Sequence, residues 1–243
     1  MIAFARARRR GGSRVGAGRK KLPAHLRHTP HRARVNHRKS HPVHVTLRAK
    51  LRSLRSQQVA RTVLGALRDS NAESFRIAHY SVQENHVHLI VEADTKASLF
   101  SGMRGLMVRV ARRVNRLLFR KGRFWADRWH DHALTSPREV RNALVYVLQN
   151  RNKHASTRRD ARAGTARGTA FERTPSLDPL SSAQWFDGFV EPIPMAFRSA
   201  GARCVVEART WLLRIGWQRG GRISVLGGAK RRHRRLMTVS RRD

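Results

Sequence analysis

The sequence predicts an α+β fold in which helices cover an antiparallel sheet of the ferredoxin-like kind. Four short segments read as strands, and in three longer segments apolar residues recur at helical spacing. Their order along the chain is strand, helix, strand, strand, helix, strand and a final helix. This order is typical of an α+β domain with an antiparallel sheet. A basic N-terminal arm precedes the core, and a C-terminal extension follows it.

The first two strands and the first helix occupy residues 41–82. The segment HPVHVTLRA alternates from His41 onward, as a strand with one buried face does. Apolar residues then recur at helical spacing over residues 59–67, and residues 75–82 read as the second strand. A turn leads from there into the third strand.

The third strand, in the segment ENHVHLIVEA, carries two histidines on one face. Side chains alternate across a strand, so His86 and His88 project to one side while Val87, Leu89 and Val91 project to the other. Two adjacent neutral imidazoles suit a divalent ion such as Mn²⁺, Zn²⁺ or Fe²⁺ and leave room for a third ligand and a phosphate oxygen. The spacing alone also fits solvent-facing or hydrogen-bonded histidines, since the chain contains 13 of them.

A long helix is predicted to start at Asp94 or Thr95. Its apolar stripe runs from Leu99 to Leu118 and faces the core on any interpretation. The other face carries five arginines: Arg104, Arg109, Arg112, Arg113 and Arg116. Such a face is either a solvated surface or a track for DNA phosphates, and beside the histidine pair we expect the track.

The last helix of the core is predicted from its first residues. After a short strand over residues 130–134, the run Ser136-Pro137-Arg138-Glu139 combines a capping serine, a proline at the first helical position and a glutamate three residues after the cap. The buried stripe of this helix is predicted to contain Val140, Leu144, Val147 and Leu148.

Tyr146 lies on the opposite side of this helix, next to Asn150. Residues four apart on a helix are neighbours, so the Asn150 amide oxygen can reach an ion that sits beside the tyrosine hydroxyl. Gln149 is a second candidate ligand, about 60° further round the helix. A half-buried tyrosine with a polar neighbour is the simpler interpretation, but the chain has only two tyrosines and this one follows a polar, histidine-rich stretch.

Three ordered segments resemble the HUH-type tyrosine transposases of single-stranded DNA, especially the branch associated with repetitive extragenic palindromes (REP). They are SVQENHVHLIVEA from Ser81, FWADRWHDHALTSPREV from Phe124 and YVLQNRNKH from Tyr146. Two features depart from that branch: its Gly-Gly-x-Tyr-Phe-Phe-Thr strand is replaced by HPVHVTLRA, and Arg151 stands where a proline usually follows the asparagine.

The resemblance implies a fold, a cofactor and a reaction. The fold is that of the HUH endonucleases, and His86, His88 and Asn150 would bind Mg²⁺ or Mn²⁺. Tyr146 would attack the scissile phosphate, leaving a phosphotyrosine on the 5′ side and a free 3′ hydroxyl. A phenol with an ordinary pKa near 10 is a poor nucleophile at neutral pH and therefore needs an ion that polarises the phosphate.

Two other functions remain open. A non-catalytic nucleic-acid-binding protein could keep the same fold and charge, although intact His86, His88, Tyr146 and Asn150 favour the enzyme. A replication nickase with the same histidine motif often has a second tyrosine close to the first, whereas Tyr80 lies far upstream.

The charge of the chain indicates a polyanionic partner. With 52 Lys and Arg against 15 Asp and Glu, the formal net charge is +37, which suits single-stranded or hairpin DNA. No apolar stretch is long enough to span a bilayer, so a membrane is not expected as a partner. Further DNA contacts are expected from Arg123, Arg128 and Lys153. Stacking on unpaired bases is one interpretation of the nearby Phe124, Trp125 and Trp129, and core packing is the other.

The predicted organisation has five parts: a basic arm over residues 1–40, the catalytic domain over 41–154, a linker over 155–180, an extension over 181–229 that packs on the core, and a basic tail over 230–243. A single cysteine, Cys204, excludes an internal disulfide and fits a reducing cytoplasm, where we expect the protein to associate with the bacterial nucleoid. In a homodimer, the tyrosine of one chain would complete the metal site of the other.

Overall fold

The structure is a computed structural model that describes residues 37–162, 177–197 and 203–225. In the last helix of the core, side chains are described as far as Gln149. Most of the predicted arm, most of the predicted linker and the whole basic tail lie outside the described residues.

The core is a four-stranded sheet in which every pair of neighbours is antiparallel. The strands are β1 (Val43–Arg48), β2 (Phe75–Val82), β3 (His86–Ala93) and β4 (His130–Ala133). Their spatial order is β2-β3-β1-β4, which places the two histidine-bearing central strands side by side. Helix α1 (Gln57–Arg68) connects β1 to β2, and α2 (Lys96–Leu117) connects β3 to β4. The predicted α+β, ferredoxin-like arrangement is confirmed.

Alternation along the strands gives the sheet two different faces. Val87, Leu89 and Val91 of β3 lie in one hydrophobic cluster with the buried stripes of α1 and α2. Ile90 points the other way, into a second cluster. The two histidines of β3 share the parity of Ile90, so they project away from α1 and α2.

The start of α2 follows from its capping residues. The Thr95 hydroxyl accepts a hydrogen bond from the Ser98 backbone N–H at 3.0 Å, and the Ser98 hydroxyl accepts one from the Thr95 N–H at 2.9 Å. This reciprocal pair satisfies two amides that the helix itself leaves without partners. One turn further along, Gly102 is pressed against the Phe75 ring, because a Cβ there would lie 2.1 Å from Phe75 Cγ.

Helix α3 (Pro137–Arg162) covers the second face of the sheet. Its first turn is held by Glu139, whose Oε2 accepts from the Thr135 N–H at 2.6 Å and from the Ser136 N–H at 3.2 Å. The predicted stripe is buried, since Val140, Leu144, Val147 and Leu148 are each at most 1% exposed. The helix continues over residues 155–162, for which the sequence predicts a linker.

Most of the C-terminal extension packs on the same face beside α3, whereas its Cys204 and Val205 belong to the cluster on the α1 and α2 face. The extension contains a short helix, α4 (Trp211–Arg214), and three 3₁₀ turns over Ser182–Trp185, Met195–Phe197 and Gly216–Gly220. Its apolar side chains, including Phe186 and Trp217, share a cluster with Leu144 of α3.

Two carboxylates join the described residues after α3 to the core, one of them at Asp178, near the end of the predicted linker. Asp178 receives two hydrogen bonds from the Arg55 guanidinium, at 2.7 and 2.9 Å. Buried Glu92 accepts from the backbone amides of Arg209 and Thr210, at 2.7 and 2.9 Å. Within the described ranges, no helix has the length and apolar character needed to cross a membrane.

Candidate active site

The predicted histidine pair lies in the middle of the sheet. His86 and His88 project from β3 toward the side that α3 covers, and their ring centroids are 4.8 Å apart. His88 is buried and His86 is half-buried. Imidazoles that share one divalent ion bind it at about 2.0–2.1 Å, which places their ring centroids roughly 5 Å apart. The spacing of the two rings therefore fits a shared ion.

Oxygen atoms on the strand and turn orient both imidazoles. The Thr46 hydroxyl of β1 lies 3.1 Å from Nδ1 of His88, directly across the strand pair. The Asn85 side-chain oxygen lies 2.9 Å from Nδ1 of His86. When each Nδ1 carries the proton and donates to its oxygen, the ring lone pair is on Nε2, the atom that binds a metal. This donor set fits the divalent ion that the sequence predicts.

Tyr146 joins this pair from α3. Its hydroxyl lies 3.3 Å from Nε2 of His88, and the two rings meet edge to face with centroids 4.9 Å apart. The cap at Ser136 fixes where α3 begins, and the buried stripe fixes the rotation of the helix about its axis. Tyr146 therefore lies half-buried next to β3. The predicted nucleophile and one predicted ligand thus meet within a single chain, so a partner chain is not needed to bring them together.

A third histidine, His44, was missed by the sequence analysis. Its ring stacks on His88 at 5.4 Å between centroids and meets Tyr146 at 5.8 Å. Burial, reinforced by the nearby His132, lowers the pKa of His44 to about 4, so the ring is neutral at neutral pH. Its Nε2 atom is buried and has no hydrogen-bond partner among the described residues. The alternation HPVHVTLRA gave a signal for His44, but only the strand register places it beside His88.

Of the two candidate ligands on α3, the structure describes the side chain of Gln149 but not that of Asn150. Asn150 lies one turn after Tyr146, as predicted, and its side chain is outside the description. Gln149 is buried, and its amide donates to the Ser224 carbonyl at 2.6 Å, which ties α3 to the extension. In the part of the chain that is described, no three His, Cys, Asp or Glu side chains form a group able to hold an ion. Asn150 stays a prediction as the third ligand.

The arginines of α2 lie on the other side of the molecule. The stripe of α2 packs on the sheet face opposite to the histidines, so its arginines point outward beyond that layer. The expectation that they lie beside the histidine pair is wrong, because alternation along β3 sends the histidines and the α2-facing residues in opposite directions. These arginines are Arg104, Arg109, Arg112, Arg113 and Arg116.

The remaining predicted DNA contacts flank β4 and α3. Arg123 is exposed and Arg128 is half-buried in the segment between α2 and β4, whereas the Lys153 side chain is outside the description. Phe124 and Trp125 are buried in the core, and the Trp125 indole donates to the Met107 carbonyl at 2.9 Å. Base stacking is therefore the wrong interpretation for these two rings, and core packing is the right one.

The fold brings a histidine-bearing strand and a tyrosine-bearing helix together in one site. The family model described as "Transposase IS200 like" matches residues 37–150, which include β1 to β4 and the start of α3. This stretch of the chain is therefore similar to the IS200-like transposases.

Comparison with solved structures gives a similar protein. It is a REP-associated tyrosine transposase bound to a REP hairpin, with 18% sequence identity and a TM-score of 0.41. The match covers 58% of the present chain and 96% of that one. The comparison with curated proteins gave no match.

Proposed function

We propose that this protein cleaves and rejoins single-stranded DNA through a covalent bond between Tyr146 and the 5′ phosphate. The observation that carries the proposal is the 3.3 Å separation between the Tyr146 hydroxyl and Nε2 of His88. A reacting hydroxyl has to lie next to the group that activates the phosphate, and this distance meets that requirement. The match of residues 37–150 to the family model of IS200-like transposases supports the same reaction class.

His86 and His88 would hold a divalent ion, Mg²⁺ or Mn²⁺, together with the side chain of Asn150. When bound, the ion supplies positive charge to the oxygens of the scissile phosphate and makes the phosphorus more electrophilic. The protein's contribution is orientation. Thr46 and Asn85 each place an oxygen within hydrogen-bond distance of one Nδ1, and a ring that donates from Nδ1 keeps its lone pair on Nε2 for the ion.

The covalent step exchanges one phosphodiester bond for another. The Tyr146 oxygen forms a bond to phosphorus while the bond from phosphorus to the 3′ oxygen breaks. The phenolic proton is lost, and the departing 3′ oxygen takes up a proton to become a hydroxyl. Because the number of ester bonds is unchanged, attack by a 3′ hydroxyl on the phosphotyrosine can later rejoin strands without a nucleotide cofactor.

The substrate is proposed from charge and access. The formal net charge of +37 favours a polyanion, and a tyrosine half-buried between α3 and β3 is more accessible to an unpaired strand than to a duplex. Unpaired DNA next to a hairpin stem satisfies both conditions. The proposed contacts to this strand are Arg123, Arg128 and Lys153. Arg123 and Arg128 lie in the segment just before β4, and Lys153 follows Tyr146 on α3.

A denaturing gel tests the proposal. Full-length protein is incubated with labelled single-stranded hairpin DNA and Mn²⁺ or Mg²⁺, and a labelled band that migrates with the protein is sought. We expect Tyr146→Phe and His88→Ala to abolish this band. Tyr80→Phe is the matched control, since burial raises the pKa of Tyr80 far above its usual value and excludes it as a nucleophile.

Two results would oppose the proposal. If several hairpins are bound but none is cut or attached, the chain is a nucleic-acid-binding protein on a transposase fold. If the band survives in Tyr146→Phe, the covalent bond is made by another residue.

A further inference from the structure

A positively charged groove lies on the sheet face opposite to Tyr146. It runs between α1 and α2 with a volume of about 950 Å³. Five arginines of α2 line it: Arg104, Arg109, Arg112, Arg113 and Arg116. None of the lining residues in this described part of the chain is acidic.

Two of the arginines are held in place by the end of α1. Arg109 donates to the Ser70 hydroxyl at 2.5 Å, and Arg113 donates to the Asp69 carboxylate at 2.7 Å. Asp69 is also shared with Arg68 at 3.1 Å. One carboxylate therefore faces a much larger positive charge. Exposed Arg104 and Arg112 add to this positive charge. The protein leaves most of it uncompensated, so a bound polyanion would neutralise it.

Two glycines keep the groove open. Gly65 of α1 and Gly105 of α2 both line it, although glycine is a poor helix former. A Cβ at Gly105 would have no atom within 4 Å, and one at Gly65 would meet only the Arg113 guanidinium at 3.9 Å. Packing within the protein does not require glycine at either position, in contrast to Gly102. Their missing side chains instead widen the space in front of the arginines.

The lining chemistry indicates which part of a nucleic acid fits. No aromatic ring is among the lining residues of this described groove, so it offers no platform for unpaired bases. Guanidinium groups and hydroxyls are the groups that contact phosphate and sugar. The row from Arg104 to Arg116 spans about 18 Å of helix, roughly the rise of five base pairs at about 3.4 Å each.

We propose that the groove between α1 and α2 binds the sugar–phosphate backbone of double-stranded DNA. Because it lies across the sheet from Tyr146, it contacts a part of the DNA other than the strand being cut. The inference rests on DNA as the partner in the proposed function, and it adds a second contact surface that acts without reading sequence.

Salt-dependent binding tests the charge of the groove. Full-length protein is titrated into a fluorescein-labelled DNA duplex, and anisotropy is measured at several salt concentrations. We expect Arg104→Gln combined with Arg112→Gln to weaken binding about tenfold and to reduce the slope of log K against log salt by about 2. The control removes two exposed arginines elsewhere, Arg138→Gln with Arg214→Gln, and should stay within about twofold of the parent.

A neutral substitution tests the shape of the groove. Gly105→Leu adds bulk without changing charge, and the open space around its Cβ allows the helix to form. We expect several-fold weaker duplex binding, with no comparable effect of Gln58→Leu at an exposed position of α1. The proposal is overturned if the groove pair behaves like the control pair, or if Gly105→Leu binds duplex as well as the parent protein.

The covalent reaction separates this inference from the proposed function. On a short unpaired oligonucleotide, the groove variants should still form the protein–DNA band, whereas Tyr146→Phe should lose it and keep full duplex binding. If the parent protein forms no protein–DNA band, the proposed function is refuted and the groove proposal still stands. Equal duplex binding by all variants would refute the groove alone.

Discussion

Thr46 and His88 are paired directly across β1 and β3, and the threonine hydroxyl lies 3.1 Å from Nδ1 of the imidazole. The opposite ring nitrogen of His88 lies 3.3 Å from the Tyr146 hydroxyl. One buried ring thus links a residue of the sheet to the proposed nucleophile. When Nδ1 donates to the threonine hydroxyl, the lone pair of the ring is on Nε2, the nitrogen nearer to Tyr146.

Replacing Thr46 with valine should weaken metal binding while leaving the fold intact. Valine keeps the shape of the side chain but removes the oxygen that lies 3.1 Å from Nδ1 of His88. Loss of such an outer hydrogen bond typically lowers metal affinity by about 10–100-fold. Calorimetric titration with Mn²⁺ measures this affinity. Thr62→Val, which removes a hydroxyl bonded to the Gln58 carbonyl on α1, is the control and should bind Mn²⁺ like the parent. Equal affinities of the two variants would contradict the orienting role.

Two glycines of α2 should respond to alanine in opposite ways. A Cβ at Gly102 would lie 2.1 Å from the Phe75 ring, so Gly102→Ala should lower the free energy of unfolding by about 1–3 kcal/mol. At Gly105 the added methyl group meets open space, and the better helix propensity of alanine should raise the free energy of unfolding by about 0.5–1 kcal/mol. Urea denaturation of both variants measures the difference. Changes of the same sign would show that the packing of α2 against β2 is incorrect.

Acid should destabilise the fold partly through His79. This ring lies 3.2 Å from the Ser182 hydroxyl, and burial, helped by the positive charge of Arg203, lowers its pKa from 6.5 to about 4. Between these values the unfolded chain binds a proton that the folded chain refuses, so stability is full above pH 6.5 and is lost as pH falls toward 4. From about pH 7.5 to about pH 5, the loss from this group should be about 2 kcal/mol.

Comparison with His79→Gln isolates that contribution. Glutamine can still bond to Ser182 but does not titrate in this range. Urea denaturation at both pH values should therefore show a smaller acid-induced loss in the variant. His44, whose pKa is also lowered to about 4, should account for part of the loss that remains. Identical pH dependence in the parent and the variant would contradict a buried, neutral His79.

Glu92 should be required to hold the extension on the sheet. Its carboxylate accepts from the backbone amides of Arg209 and Thr210, and from the Thr210 hydroxyl at 2.8 Å. In Glu92→Gln one acceptor oxygen becomes an NH₂ group that faces these donors, so we expect a loss of about 2–3 kcal/mol. Limited proteolysis should also cleave the extension sooner. Glu73→Gln, at an exposed position, is the control and should change neither property.

The parts of the site that follow from local periodicity could be predicted from the sequence. Alternation placed His86 and His88 on one face of β3, and the cap at Ser136 placed the start of α3. These patterns depend on residues close together in the chain, so they do not need the tertiary structure. The expectation that Tyr146 lies opposite the buried stripe is wrong, since Tyr146 packs against the same hydrophobic cluster as Leu144.

The partners from other strands could not be predicted in this way. His44 and Thr46 reach His88 through the register of β1 against β3, and nothing in their spacing specifies that register. The same limit applied to the arginines of α2, whose helix packs on the far side of the sheet. For Phe124 and Trp125 the sequence left base stacking and core packing both open, and only the folded structure shows that both rings are buried.

The most direct measurement is mass spectrometry of the protein after reaction with hairpin DNA and Mn²⁺, followed by nuclease and trypsin digestion. Cleavage after Arg141 and Arg151 releases the peptide NALVYVLQNR, in which Tyr146 is the only hydroxyl-bearing side chain. We expect this peptide to carry the mass of one attached nucleotide, and to lack it when the ion is omitted or His88 is replaced by alanine. An unmodified peptide in a reaction that has cut the DNA, or a nucleotide attached to any other peptide, would contradict the assignment of Tyr146 as the nucleophile.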